Sequence, residues 1–186
     1  QRIYGITSNE VEVYPVVESF GEGIFFSFNT EAFESFKKNS STYISSLEKR
    51  FSNLLETNSS FSKSAIEYGV KYGWQLYLVH TFSNLIMKEL EFRCGYPTSS
   101  LSERIYVSNE TERSMYGCLI YTSEGAEGSM GGLIAQTTKE NIRKLIIGAM
   151  KRATVCNSYP LCWESEGQGL FDLNFSACFS CGLVSD

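Results

Sequence analysis

A membrane-spanning helix needs about 20 consecutive apolar residues, and nothing in this chain approaches that length. Its richest stretch, Trp74 to Phe82, is broken by Gln75 and His80. No basic start leads into an apolar segment and a cleavage site, so no secretory signal is visible. No internal repeat and no low-complexity segment occurs. The Gly-Lys-Ser/Thr ending of a phosphate loop is missing, and so is an Asp-Glu pair in a buried-strand context, so ATPase chemistry belongs elsewhere. Basic residues are outnumbered, 16 to 21, for a formal net charge of −5; this argues against strong autonomous nucleic-acid binding. There is one histidine, His80. Cys–His catalysis would have to pair it with Cys94 or Cys118, which lie in separate elements, and a hydrogen-bonded core histidine is the favoured reading. The initiator methionine is also missing, since the chain begins at Gln1, which predicts a piece excised from a longer protein.

Aromatic residues, by contrast, are plentiful. Thirteen Phe and eleven Tyr in 186 residues describe a folded domain with a proper core. Cysteine is concentrated: of six, four sit in the tail at Cys156, Cys162, Cys178 and Cys181, with five, fifteen and two residues between them. Two cysteines separated by two residues aim both thiolates at one point, and a looser pair completes the tetrahedron that Zn²⁺ accepts. The spacing therefore predicts a structural zinc site at Cys156, Cys162, Cys178 and Cys181. Three disulfides in a glycosylated secreted protein are the competing reading. Asn39, Asn58, Asn109 and Asn174 each begin an Asn-x-Ser/Thr sequence.

In chain order, residues 1–28 read as a strand hairpin: Val11 to Val17, a turn at Gly21-Glu22-Gly23, then Ile24 to Phe28 as a short buried strand. Residues 29–97 read as helical. Asn29 or Thr30 caps a first helix through Phe33 and Phe36; a second follows at Ile44, Leu47 and Phe51. The longest runs from about Lys63 to Arg93, is apolar nearly all round and so is central, and ends at Gly95 and Pro97. Residues 98–153 hold strands at Ile105–Val107 and Met115–Thr122, a glycine-rich loop, and a helix over 139–153 capped by Thr137 or Thr138. Residues 154–186 form the metal loop. The fold class is α+β: small antiparallel sheets packed on a long buried helix, with a zinc-stabilised C-terminal loop region, in one domain over 1–186.

Two local features bear on function. On the 139–153 helix, Ile142, Leu145, Ile146, Ala149, Met150 and Ala153 share one face, while Lys139, Arg143, Lys144, Lys151 and Arg152 surround the other. That is a candidate phosphate-contacting surface; a solvated helix with cations at its C-terminal end is the alternative. The loop Thr122 to Gly132 sits where backbone amides cradle phosphates, but Glu124 and Glu127 would repel a nucleotide. Tight turns and close backbone packing are expected there instead. Glu164 and Glu166, in the metal loop, lack a second acidic cluster and are expected to orient that loop by hydrogen bonds.

The ordered set Leu78-Val-His80-Thr-Phe-Ser-Asn84, Cys94-Gly-Tyr96, Leu101-Ser-Glu-Arg-Ile-Tyr106, Ile120-Tyr-Thr122, Glu127-Gly-Ser-Met-Gly-Gly-Leu133, Cys162-Trp-Glu-Ser-Glu-Gly-Gln-Gly169 and Asn174-Phe-Ser-Ala-Cys-Phe-Ser-Cys181 resembles the MrfA-like zinc-binding domain. It is similar to the form carried by the DrmB proteins of DISARM anti-phage defence. The likeness covers roughly 20–186. It implies a non-catalytic, helicase-associated module of bacterial DNA repair or defence, cytoplasmic, with a helicase subunit or helicase domain as partner, DNA as a further one, and neither membrane nor small-molecule substrate. It also implies four cysteines on Zn²⁺, which carries over onto Cys156, Cys162, Cys178 and Cys181. One departure is Asn84, where the family pattern has a second histidine four residues after His80; this makes His80 structural. A protein-interaction scaffold without DNA contact is the second reading, and a hydrolase using His80 the third.

Overall fold

The computed structural model describes residues 6–8, 11–13, 21–57, 63–110, 114–122, 131–157, 159–160 and 164. Two short strands, β1 (Ile6–Ser8) and β2 (Val11–Val13), pair antiparallel. After β3 (Gly23–Ser27), Asn29 caps the next helix by accepting a hydrogen bond from Ala32 N at 3.0 Å. Helix α1 (Thr30–Asn39) buries Phe33, and α2 (Ser41–Thr57) buries Ile44, Leu47 and Phe51, residues spaced three or four apart as one helical face requires.

Helix α3 (Lys63–Cys94) is the spine. Val79, Ser83, Ile86 and Leu90, again three or four apart, form a fully buried stripe, and the helix packs against α2, the sheet and the last long helix. It is not continuous. Gly73 sits at φ 63°, ψ −156°, which breaks the helix into two arms; a side chain would be strained there, so this glycine is a hinge point rather than a packing notch. The Tyr72 carbonyl at the break accepts from Asn109 Nδ2 at 3.3 Å. Asn109, one of the glycosylation-like positions, thus uses its amide within the fold. Gly95, at φ 72°, ends the helix with its N–H on the Glu91 carbonyl.

A short 3₁₀ turn (Thr98–Ser100) leads into β4 (Leu101–Ser108), which pairs antiparallel with β5 (Met115–Thr122). β5 is the middle strand of a three-stranded sheet in the order β3-β5-β4. Here the expected N-terminal hairpin is corrected. β3 pairs with β5, Ile24 opposite Ile120, and not with the strand before it; the hairpin is the pair 6–8 with 11–13. Nor is β3 wholly buried: Ile24 points inward while Phe25 is 51% exposed, the alternation of a strand covered on one face. The chain closes with a single-turn helix, α4 (Gly132–Ala135), and α5 (Lys139–Ala153), whose cap is Thr138 accepting from Asn141 N at 3.3 Å.

The core has two lobes. Ile24, Leu85, Ile86, Leu90, Tyr96, Leu101, Ile120, Leu133, Leu145 and Ala149 form one, and Phe33, Ile44, Leu47, Phe51, Trp74, Val79, Tyr116 and Cys118 the other. An aromatic seam joins them. Phe26 and Phe28 both meet Phe82 edge-on, at 5.3 and 4.9 Å, and Phe28 passes the contact to Phe33, which stacks on Tyr116 at 4.4 Å. Such pairs each add about 1 kcal/mol beyond the area they bury.

Candidate metal centre

Cys156, the first of the four tail cysteines, follows the C-terminal end of α5, so its placement begins with how that helix is held. Leu145 and Ala149 are buried against α3. Between their turns lies Gly148, where a Cβ would stand 2.7 Å from Glu89 Cδ on α3. Only a glycine lets the Glu89 side chain lie across the helix. Glu89 is 4% exposed, and its Oε2 accepts from Arg152 Nε at 3.0 Å, while the guanidinium covers the Phe92 ring at 3.8 Å. A buried carboxylate left alone would be costly, by roughly 3–5 kcal/mol; the Arg152 fork and its cation–π contact answer it. The clamp Glu89–Arg152–Phe92 therefore fixes the last turn of α5 to the last turns of α3, four residues ahead of Cys156.

This changes the picture of the basic helix. Arg152, though its side chain is half-exposed, is engaged by Glu89 and Phe92. Lys144 pairs with Glu140 one turn earlier, and Lys139, Arg143 and Lys151 are exposed. The apolar face is also narrower than the periodicity suggests, since Met150 is 43% exposed and Ile147, on the outer side, matches it.

Past the helix, Thr154 N and Val155 N bond back to the Lys151 and Arg152 carbonyls, and Cys156 returns to the interior at 9% exposure. Its carbonyl accepts from Tyr159 N at 3.2 Å, and that of Pro160 from Glu164 N at 3.0 Å, so the backbone curls twice directly after the first cysteine. Cys162, Cys178 and Cys181 lie outside the described residues, as does Glu166, and among the described residues no group of three or more potential ligands comes together. Cys156 is buried four residues beyond the Arg152 clamp, where the end of α5 fixes its position. A donor set of four cysteines, which the spacing predicts, would close the coordination of Zn²⁺ as structural sites do.

Cys94 and Cys118 form no disulfide, and Cys94 ends α3, the helix that carries His80, rather than lying in a separate element. Cys118 is fully buried on β5, and burial, with Glu103 nearby, pushes its thiol up to about 11 against the easing effect of Ser83. Burial raises Cys94 as well. Both are protonated at neutral pH, so neither is a ready metal ligand or nucleophile. His80 ties α3 to β4 by Nε2 to Glu103 Oε1 at 2.8 Å. Asn84, where a second histidine was expected, donates its amide back to the His80 carbonyl at 2.9 Å. His80 is hydrogen-bonded, as its surroundings suggested, but only partly buried.

Glu22 escaped the sequence reading, where it stood only as the middle of a Gly-Glu-Gly turn. It is 5% exposed and accepts four hydrogen bonds: Tyr96 Oη at 2.8 Å and Leu133 N at 3.1 Å on Oε1, Gly131 N at 2.9 Å and Ile134 N at 3.2 Å on Oε2. Burial on its own would raise this carboxyl. The donors from Leu133, Tyr96, Ile134 and Gly131 outweigh it and hold the group below the ordinary glutamate range. Gly131 at φ 101° and Gly132, where a Cβ would sit 2.9 Å from Tyr96 Cζ, are the conformations and clearances this cluster needs. The amides at the end of the glycine-rich loop thus face a resident carboxylate, in keeping with close backbone packing there; residues 123–130 lie outside the description.

Residues 82–182 match the family of the MrfA Zn-binding domain. The chain belongs to that family. Over 181 residues, 92% of its length, it is 32% identical to the DISARM protein DrmB of Bacillus paralicheniformis (strain ATCC 9945a / NCIMB 11709 / CD-2), and it spans 30% of that protein. Zn²⁺ is accordingly the cofactor of this domain. The matched interval carries the last part of α3 from Phe82, then β4, β5, α4, α5 and all four tail cysteines. It leaves out Glu22, β3 and the first two helices. Among the described residues, no helix is long and apolar enough to cross a membrane.

Proposed function

We propose that this MrfA Zn-binding domain is a non-catalytic module of a helicase-associated bacterial machine, docking on a helicase subunit or helicase domain and engaging DNA in anti-phage defence or repair. Its zinc is held by Cys156, Cys162, Cys178 and Cys181. The relationship to a DISARM protein supports the setting. The observation that carries the reading is mechanical: α5 is fastened to α3 by the pairing of half-exposed Arg152 with buried Glu89, and leads within four residues to Cys156. A helix held at that end presents Lys139, Arg143, Lys144 and Lys151 on a rigid surface, as phosphate contacts require. Four thiolates leave zinc no open position for water, so the metal's role is structural.

The test is charge reversal of Lys139, Arg143, Lys144 and Lys151 in the intact protein, with Arg152 spared because its loss would break the clamp. DNA affinity should fall, and the slope of log affinity against log salt should flatten by about 0.9 for each lost contact to duplex. Unchanged affinity and slope would remove DNA from the reading. One observation favours a second use of the same helix: Ile147 and Met150, each 43% exposed, interleave with the cations. If reversal abolishes helicase co-purification while DNA affinity stands, the face is a protein dock.

A further inference from the structure

The inner face of the three-stranded sheet is covered by α3, with Ile24, Cys118 and Ile120 at 6, 0 and 0% exposure. The outer face is different. Register sets Phe25, Leu119 and Arg104 in one row across the three strands; the rows on either side bring Tyr106 and Tyr121 to the same face. Phe25 is 51% exposed and Tyr121 36%, with Met115 at 42% at the strand's start. Gly117, in the middle strand, makes the arrangement possible. A Cβ there would stand 3.1 Å from Phe25 Cζ, so the Phe25 ring leans over the glycine and meets Tyr106 edge-on, centroids 5.6 Å apart. The rings are thereby braced against each other while retaining solvent-facing surface.

Charge then selects the occupant. The chain has a net charge of −5, with acids outnumbering bases, yet no outward-facing position of β3, β4 or β5 is acidic, and Arg104 is exposed in the central row. Glu103, the one acid within these strands, points inward to His80. Exposed aromatic rings on an open sheet with an arginine among them and no carboxylate suit unpaired bases and their phosphates. A duplex, whose bases are already stacked, offers the rings nothing.

We infer that the outer sheet face is a stacking platform for single-stranded nucleic acid: bases lie on the Phe25, Tyr106 and Tyr121 rings and Arg104 meets a phosphate. The platform rests on the nucleic-acid half of the proposed function but not on α5, which packs on α3 away from these side chains. Each site therefore fails by itself.

The experiment uses the intact zinc-loaded protein with a short labelled oligothymidylate and an abasic strand of the same phosphate count. Phe25→Ala and Tyr121→Ala, each checked for wild-type zinc content and circular dichroism, should each weaken oligothymidylate binding about tenfold, a typical loss for one stacked base. They should leave abasic and duplex binding alone. Phe25→Trp, which keeps a ring over Gly117, should restore the affinity; this arm separates lost stacking from lost folding. Arg104→Glu should weaken both single strands. Reversal of the α5 cations should flatten the salt dependence without erasing the preference for bases over abasic strand. Folded ring variants that bind oligothymidylate like wild type, or that lose the abasic strand equally, overturn the platform. Ring variants that keep oligothymidylate but lose the helicase partner also overturn it, and make the face a protein interface.

Discussion

Replacing Glu22 with Gln changes one oxygen to an amide and hardly alters shape, so it isolates the part this carboxylate plays. In the folded chain Oε1 serves Tyr96 Oη and Leu133 N, and Oε2 serves Gly131 N and Ile134 N. The Gln carbonyl can keep only one of those pairs. Its NH₂ then confronts the other two donors, each of which forfeits roughly 1–3 kcal/mol when left without an acceptor. We expect Glu22→Gln to destabilise the zinc-loaded chain by about 3 kcal/mol, or roughly 6–12 °C in Tm for a domain of this size. Tyr96→Phe removes a single donor and should cost only about 1 kcal/mol. Urea titration followed by far-UV circular dichroism reads both. The pH dependence gives a second handle. The Glu22 carboxyl is held below the ordinary value of 4.5, so its contribution is present above that value and disappears as pH falls through the lower, folded one. The acid limb of the wild-type stability profile should flatten in Glu22→Gln. Tyr96, pushed up to about 12 by burial and then by Glu22, contributes below 10 and loses that contribution as pH climbs towards 12. If Glu22→Gln unfolds within about 0.5 kcal/mol of wild type, the surface-substitution range, or Tyr96→Phe costs more than it does, the carboxylate is not the hub we describe.

Two further outcomes follow from the helix clamp and the cysteines. Gly148→Ala drives a methyl into the Glu89 carboxylate and should cost about 2–4 kcal/mol by parting it from Arg152; if stability holds in urea titration, the pair is not required. Metal analysis should find one zinc per chain, lost in Cys156→Ser. Before chelation, thiol titration should detect Cys94 slowly and Cys118 only on unfolding, because Cys118 is fully buried; four more thiols should appear once zinc is removed. Six reactive thiols at the outset would refute the four-cysteine site.

What the sequence made legible was whatever is marked locally. Thr138 and the period of Leu145 and Ala149 locate α5, Gly95 and Pro97 stop α3, and the bounds of β5 coincide with Met115–Thr122. What it hid was long-range pairing. Nothing near β3 says that its partner lies beyond residue 114, so the neighbouring strand was the natural candidate. Glu22, Glu89 and Arg152 are charged residues of ordinary appearance, and their pairing depends on donors and partners 63 to 112 positions away. Gly148 and Gly132 carried the one local hint, since a glycine without a turn often marks a close approach. For the metal site, spacing pointed to chemistry, and of its four cysteines only Cys156 lies among the described residues.

The wiring of Glu22 has a consequence for anyone cutting this domain from its parent chain or watching it emerge from a ribosome. The family match starts at residue 82, which invites a boundary near there. A piece cut at that point would leave β5 with a bare edge where β3 belongs. It would also strip the acceptor from three backbone amides and a tyrosine. During synthesis the same dependence sets an order: β3 and its apolar residues leave the ribosome about 90 residues before β5, a wait set by loop closure rather than by local preference. The first strand of the sheet to be made therefore waits for β5 before Ile24 and Phe26 are covered.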